Sequence, residues 1–408
     1  MNTSGTERSV DPPVQGLQAN WLQFVLLILI NAFVGGMVGL ERTILPRFAE
    51  ESFGISGHTA ILTFLIAFGI TKAISNYSTG RLTQRFGSRN LLLFGWLLAI
   101  PVPFILIHAP SWSWVVFANA LLGVHQGLSW SSTVIMKIDL VGEKQRGLAM
   151  GLNEFAGYLA VAGMAYWTAI LADQYGVRPV PFYLGIVVAI LGFTLTLFLV
   201  KDTRHFVRTE ALGHVGTRLT HPFHQTSWRD PNLGPVTFAG FVNNLNDGMM
   251  WGLLPVLLAQ RGLSLAEIGT IAALYPAVWG LSQIGTGALA DRISHRTLLF
   301  GGMFLQGIVI LGFTSTGSSG WYMVLAVLLG LGTALVYPTF LAAIARATHP
   351  EDRAHSMGIF RFWRDLGYAA GALFTGVVAD LFSLDWAILG VGLLTLVSGV
   401  VIRVRMDP

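Results

Sequence analysis

Apolar runs of about twenty residues recur along the chain, separated by short polar breaks. A helix needs roughly 20 mainly apolar residues to cross a bilayer. The pattern predicts spans near 21–45, 58–80, 90–108, 112–136, 146–172 and 180–200, then near 233–258, 266–288, 297–315, 321–345, 353–379 and 384–404. The break at His108-Ala109-Pro110-Ser111 divides the 90–136 stretch in two. Backbone groups in hydrocarbon find no water, so these runs must be helical. One long stretch, 201–232, is polar and carries Lys201, Asp202, Arg204, Arg208, Glu210 and Arg229. The expected fold class is an all-α membrane protein of about twelve transmembrane helices in two pseudo-symmetric six-helix bundles. The expected organisation is a tail at 1–20, one bundle at 21–200, a linker at 201–232 and a second bundle at 233–408.

The pseudo-symmetry is written in a repeat. Gly80, Arg85, Leu121-Leu122-Gly123, Met150-Gly151 and Ala172-Asp173 recur as Gly287, Arg292, Leu328-Leu329-Gly330, Met357-Gly358 and Ala379-Asp380, each 207 positions later (292 less 85). An internal repeat of this length in an apolar chain is a sign of a two-bundle transporter.

Composition narrows the solvent. Of 408 residues, 53% are hydrophobic and 11% charged, and mean hydropathy is +0.62. Soluble chains carry about 25% charged residues, so lipid must cover much of this one. There is no Cys, which excludes disulfides and Cys-based metal or nucleophile chemistry. Met1 to Asn20 is polar, contains Asp11-Pro12-Pro13, and lacks the apolar core and cleavage site of a signal peptide. The run from Trp21 is expected to stay as the first span.

Of the 25 Lys and Arg residues, eighteen fall on the side of the two termini. Four fall on the other side (Arg42, Arg47, Arg178, Arg261), and Lys72, Arg361 and Arg364 lie within spans. The asymmetry predicts both termini in the cytoplasm and a cell-membrane location, the inner membrane of a bacterium. It also accounts for the net charge of +4 as topology signal, with no nucleic-acid partner.

The loop after the second span reads Gly80-Arg81-Leu82-Thr83-Gln84-Arg85-Phe86-Gly87-Ser88-Arg89. Its repeat reads Gly287-Ala288-Leu289-Ala290-Asp291-Arg292-Ile293-Ser294-His295-Arg296. Both resemble the signature loop of the major facilitator superfamily, G-x-L-x-D-R-x-G-R-[RK]. The resemblance extends over the whole chain. It implies alternating access about a central site lined by spans 1, 4, 7 and 10, with span 2 near span 11 and span 5 near span 8. It implies gate roles for Gln84, Arg85, Asp291 and Arg292, which would hold the inward-closed state against a neighbouring helix end. Gln84 stands where the motif has Asp, so a weaker clasp is expected there. The Gly-Pro pair of drug/proton antiporters is missing from the fifth span, where Gly151 to Tyr158 holds no Pro.

Ionisable groups inside a span cost several kcal/mol, about 2.5–3.5 on insertion scales. Asp247 lies mid-span among Asn243, Asn244 and Gly248. It reads as a proton-coupling or substrate group, or as a packing Asp satisfied by Asn. Glu154, beside Asn153, and Arg361 are repeat equivalents (361 less 154 is 207), with Arg364 and Asp365 following. The span packing that the resemblance implies would bring Lys72 to Asp365 and turn Glu154 toward Trp279 or Gln283. These pairs read as gates or as static ion pairs, and Arg361 or Arg364 as a fork for an anionic substrate.

Glu41 and Arg42 end the first span and are expected to snorkel, with an outer gate as the alternative. His125 and Gln126 in the fourth span read as titrating or metal-binding groups, or as satisfied packing groups. Trp130 and Tyr337, also repeat equivalents, read as substrate-flanking aromatics or as packing. Lys137 to Arg146 reads as a solvated loop with gate contacts, and Met37, Met249 and Met250 as core filler.

No P-loop, Gly-rich nucleotide motif or HExxH is present, and no cofactor is expected. Transport would draw on a gradient, with protons the driver favoured by the mid-membrane acids. The expectation is a monomeric carrier of a small polar or charged solute or ion. Rivals are a divalent-metal carrier using Asp247, Asn244, His125 and Glu154, an exporter of organic compounds, and a non-transporting receptor on the same fold.

Overall fold

The computed structural model describes residues 14–42, 44–55, 58–142, 145–207, 218–263 and 265–407. The expectations for the tail up to residue 13, for Glu143 and Lys144, and for linker residues 208–217 lie outside the described residues.

The helices of the first half are α1 (Trp21–Arg42), α2 (Leu45–Phe53), α3 (His58–Phe86), α4 (Ser88–Ala99), α5 (Pro101–His108), α6 (Trp112–Val141), α7 (Arg146–Tyr175) and α8 (Val180–Leu199). Those of the second half are α9 (Leu233–Gly252), α10 (Leu254–Gln260), α11 (Leu265–Ala290), α12 (His295–Gly312), α13 (Ser319–Ala347), α14 (Pro350–Leu381) and α15 (Leu384–Arg405). The fourth and fifth run on as one kinked rod, because Pro101 and Pro103 interrupt the hydrogen-bond ladder there. Twelve spans result, six on each side of the linker.

Seven of these are long and apolar enough to cross a bilayer by length and composition alone, among the described residues. They are Trp21–Glu41, Ser88–His108, Arg146–Ala172, Val180–Leu199, His295–Gly312, Ser319–Ala347 and Leu384–Arg405. Most buried charges sit in the others: Lys137 in α6, Asp247 in α9, and Arg361, Arg364 and Asp365 in α14, with Lys72 half-buried in α3. Glu41 in α1 and Arg146 and Glu154 in α7 are exceptions.

Within the first half α3 packs on α6 and α1 on α7; within the second, the equivalent pairs are α11 on α13 and α9 on α14. Between halves, α3 packs on α14 and α7 on α11. The described ends of the chain share one face. There Gly16 N–H donates to Leu140 O (2.9 Å) and Asn232 Nδ2 to Asp407 Oδ2 (2.8 Å).

The halves are closed on this face, and glycines let them close. A Cβ on Gly147 would lie 2.5 Å from Gly287 O, and one on Gly287 would lie 2.6 Å from Gly147 O. A Cβ on Gly80 would meet His355 Cα at 2.5 Å. Backbone therefore touches backbone across both inter-half seams.

The signature loops are built into this face. Arg89 Nε donates to Val200 O (2.8 Å) and its Nη2 to Leu197 O (2.6 Å). Arg296 donates in the same way to Arg403 O. Each arginine thus caps the last helix of its own half, where orphan carbonyls and the helix dipole favour a cation. Gly87 takes φ 83°, a left-handed turn that glycine permits. Its equivalent, Ser294, instead caps α12 by accepting from Thr297 N–H.

One expectation is overturned here. Lys137 is not in a solvated loop. The helix continues to Val141, and Lys137 is fully buried, its Nζ donating to Leu27 O at 3.1 Å.

A larger side chain at Gly287 should wedge this face open. Overpacking costs about 1–3 kcal/mol, a shift of about five- to more than a hundredfold between closed and open populations. The chain has no native Cys, so a single Leu148→Cys reporter is free of background. Gly287→Leu is expected to raise its maleimide labelling rate, and an unchanged rate would refute the seam.

Candidate functional site

The centre of the molecule holds a carboxylate that draws on both halves. Asp365, in α14, is 2% exposed and lies 3.4 Å from Lys72 Nζ across the seam with α3. Arg364 Nη2, its chain neighbour, lies 2.9 Å away. Asn76 Nδ2 donates to the second carboxylate oxygen, and Asn244 Nδ2 approaches the first at 3.5 Å. Lys72 and Asp365, which the family resemblance placed opposite each other, are thus brought together. Arg364 also sets its guanidinium over the Tyr337 ring, 5.4 Å from the centroid.

Glu154 is fully buried on α7 and is held within its own half. Trp130 Nε1 donates to Oε1 at 3.1 Å and Asn153 Nδ2 at 2.6 Å. Its partners are therefore not Trp279 or Gln283, because the carboxylate turns back toward α6. Oε2 has no hydrogen-bond partner. Arg361, at the equivalent place on α14, is 1% exposed and donates from Nη1 to Ser131 Oγ at 3.2 Å. Its Nε and Nη2 have none. Ser131 in turn donates to Asn76 Oδ1 at 2.5 Å, which ties Arg361 to the Asp365 group.

Asp247 accepts from Tyr275 Oη, which also lies 3.3 Å from Thr333 Oγ1. Asn243 is buried beside it with neither side-chain polar atom partnered. Aromatic rings join this carboxylate to Glu154. Tyr275 stacks on Trp279 (5.9 Å), Trp279 touches Tyr337 (4.9 Å) and Tyr158 (4.1 Å), and Tyr158 meets Trp130 (5.6 Å). The Tyr158 and Tyr337 hydroxyls lie 3.0 Å apart, one from each half. Trp130 and Tyr337, expected on either account, both belong to this wall.

Other candidates fall elsewhere. His125 faces α4: Nδ1 meets Gly95 O at 2.9 Å and the ring packs on Trp96 at 4.7 Å. Gln126 is buried with its amide oxygen unpartnered. No group of three or more His, Cys, Asp and Glu side chains is placed to hold a metal, among the described residues. The metal-ligand set of Asp247, Asn244, His125 and Glu154 is therefore not assembled. Glu41 does not snorkel. It is 2% exposed and accepts from Asn119 Nδ2 at 2.6 Å. The side chain of Arg42 lies outside the described residues.

The gate residues divide. Asp291 accepts from Gly147 N–H (2.7 Å) and Leu148 N–H (2.9 Å), capping the first turn of α7 from the other half. Partial burial raises its carboxyl above the usual value, while the two amide donors pull it down. Gln84 does the reverse and donates from Nε2 to Glu351 O at 2.8 Å. The first turn of α14 supplies its own acids, Glu351 and Asp352. An Asp at position 84 would add a like charge there. Arg218 of the linker binds both acids, at 2.9 and 3.3 Å. Arg85 and Arg292 are exposed and pair with no carboxylate among the described residues.

Two closed bundles around a buried charge network, with the loop motif at both inter-half clasps, match known proteins over most of the chain. Residues 23–230 and 236–408 match the Major Facilitator Superfamily model. The chain belongs to the major facilitator superfamily. Among relatives, it is 26% identical to the uncharacterized MFS-type transporter YddS of Bacillus subtilis, covering 95% of this chain and 93% of that one. It is 23% identical to the multidrug resistance protein MdtG of Escherichia coli, covering 88% of each.

Among solved structures it superposes on the E. coli fucose:proton symporter FucP with a TM-score of 0.75 at 12% identity, covering 95% and 99% of the two chains. It superposes on the human organic anion transporter MFSD10 with a TM-score of 0.72 at 16% identity, covering 93% and 99%. It is a multi-pass integral membrane protein of a family that carries small molecules across the bilayer.

Reading the sequence did not find buried Lys137, nor Asn76, Ser131 or Tyr275. Lys137 was hidden because charge density marks loops. The polar residues were hidden because a lone Asn, Ser or Tyr in a span carries no pattern. The signal that could have found Asn76 is phase: it lies four residues, about one turn, after Lys72 on one face of α3.

Asp365→Asn should leave Lys72 and Arg364 without their counter-charge. Removing one partner of a buried pair costs about 3–5 kcal/mol, so the denaturation temperature in detergent should fall well below that of the parent. Adding Lys72→Gln should recover part of the loss. A parent-like temperature for Asp365→Asn would refute the carboxylate's central role.

Proposed function

We propose that this protein is a secondary transporter working by alternating access, which moves a small polar or charged solute with protons as the coupling ion. The observation that carries the reading is a set of buried, partly unpartnered polar groups at and beside the seams: Arg361, Glu154, Gln283, Asn243 and Asn244. Unpaired buried polar groups are costly in a structure that needs only to be stable. They make sense where a solute passes.

The face bearing the termini is assigned to the cytoplasm on the Lys and Arg asymmetry, within a bacterial inner membrane. Opening there would break Lys72–Asp365, Asp291 with α7, and Gln84 with α14, because each joins the two halves. Asp247 and Glu154 are the carboxylates proposed to take the proton. Each is buried, and each is reached through a neutral aromatic hydrogen-bond donor rather than an ion pair. A second reading, export of organic compounds, is supported by the wall of Trp130, Tyr158, Trp279 and Tyr337 and by the likeness to MdtG.

In proteoliposomes, solute flux should follow an imposed pH gradient and collapse with a protonophore. Asp247→Asn should abolish the pH-driven component while leaving downhill exchange. Flux indifferent to the gradient would remove proton coupling, and full coupling in Asp247→Asn would remove that residue's role.

A further inference from the structure

Arg361 is held in a way that leaves one edge of its guanidinium vacant. Nη1 is committed to Ser131 Oγ at 3.2 Å. The Nε–H and Nη2–H groups, which together form the side-on fork, have no partner, although the residue is 1% exposed. A planar guanidinium offers that edge as two parallel donors, a geometry matched to carboxylate and other oxyanions.

Nearby acids do not fill it. Asp365 is occupied by Lys72, Arg364, Asn76 and Asn244. Glu154 lies within electrostatic reach of Arg361. Its Oε1 is occupied by Trp130 and Asn153, and no ion pair joins it to the arginine among the described residues. Trp130 and Ser131 are consecutive on α6, so one helix turn holds the two opposite charges apart. A buried cation left without a counter-charge is the arrangement folding avoids, and an incoming anion removes the deficit.

We propose that the Nε–Nη2 edge of Arg361 is the substrate's anchor, and that the substrate class is small organic anions bearing a carboxylate or an equivalent planar oxyanion. The proposal rests on the transporter reading above and narrows its solute. Trp130, the chain neighbour of Ser131, begins a run of packed rings through Tyr158 to Trp279, which would serve the apolar part of such a molecule.

The test uses purified full-length protein in detergent at constant ionic strength. The probes are acetate, benzoate and inorganic phosphate, with benzyl alcohol and benzylamine as neutral and cationic counterparts of benzoate. Thermal shift and intrinsic Trp fluorescence report binding. At least one oxyanion is expected to raise the melting temperature and saturate, with benzyl alcohol and benzylamine inert.

Arg361→Gln should lose that response. Arg361→Lys, which keeps the charge and loses the fork, should weaken it about tenfold or more. Lys72→Gln, in the neighbouring cluster, should weaken it less than Arg361→Lys does. If neither variant of Arg361 folds, protection of Arg361 from phenylglyoxal by benzoate in the parent protein, mapped by mass spectrometry, is the second measurement. A response only to benzylamine or benzyl alcohol, an undiminished oxyanion response in Arg361→Gln, or no oxyanion response and no protection in the parent would each overturn the proposal. Because these are binding measurements, they stand apart from flux. Binding without pH-driven flux would sink the coupling and leave the anchor, while flux of a neutral solute with no oxyanion binding would do the opposite.

Discussion

The interaction on which the centre depends is the Asp365 carboxylate and the groups that keep it charged in a dry interior. A lone carboxylate there would cost several kcal/mol. Four groups offset this: Arg364 from the same helix, Asn244 from α9, and Lys72 and Asn76 from α3 of the other half. Their convergence aligns α3 with α14 at the depth of the site. It also orients Ser131, through Asn76, and so positions the Arg361 guanidinium. Two charge clusters that look separate in sequence are one hydrogen-bonded system.

Around that system the two halves obey the same plan with different chemistry. At one clasp Asp291 supplies the negative charge that the first turn of α7 lacks. At the other, α14 begins with its own Glu351 and Asp352, and the facing position is an amide that donates. The two solutions satisfy the same physical demand, an acid near a helix N-terminus. The departure of Gln84 from the family motif is thus complementary to α14 rather than a simple loss. The linker's Arg218, bound to both acids, reinforces the side that Gln84 holds neutrally.

The fold was largely legible in the sequence because lipid leaves few alternatives: long apolar runs must be helices, and a repeat of 207 residues must give equivalent helices. Span boundaries were less legible where charge enters a buried helix end, as at Lys137. Pairings across the repeat were partly legible. Lys72 and Asp365 could be matched because opposite charges at equal depth seek each other. The direction of Glu154 could not, because a rotation of one helix face decides between Trp130 and Trp279. His125, read as a titrating or metal-binding group or as a satisfied packing group, falls to the packing side. It lies on a helix expected to line the centre but on the face turned toward α4.

The two cations on Asp365 differ in what motion does to them. Arg364 is its chain neighbour on α14 and moves with it. Lys72 belongs to the other half, and its side chain is 18% exposed while Asp365 is 2% exposed. On the alternating-access reading proposed above, opening the seam would remove Lys72 and Asn76 and leave Arg364, so the carboxylate would keep a counter-charge. The cost of switching is then the loss of one ion pair already partly in reach of water, which is far smaller than the cost of exposing an unpaired charge to a dry interior. Such a division, with one fixed partner and one exchangeable, lets a buried charge network serve a moving interface without locking it. Arg361, one helical turn away on the same helix, also reaches across the seam to Ser131 of α6, so on the transport reading proposed above the same opening would free its guanidinium.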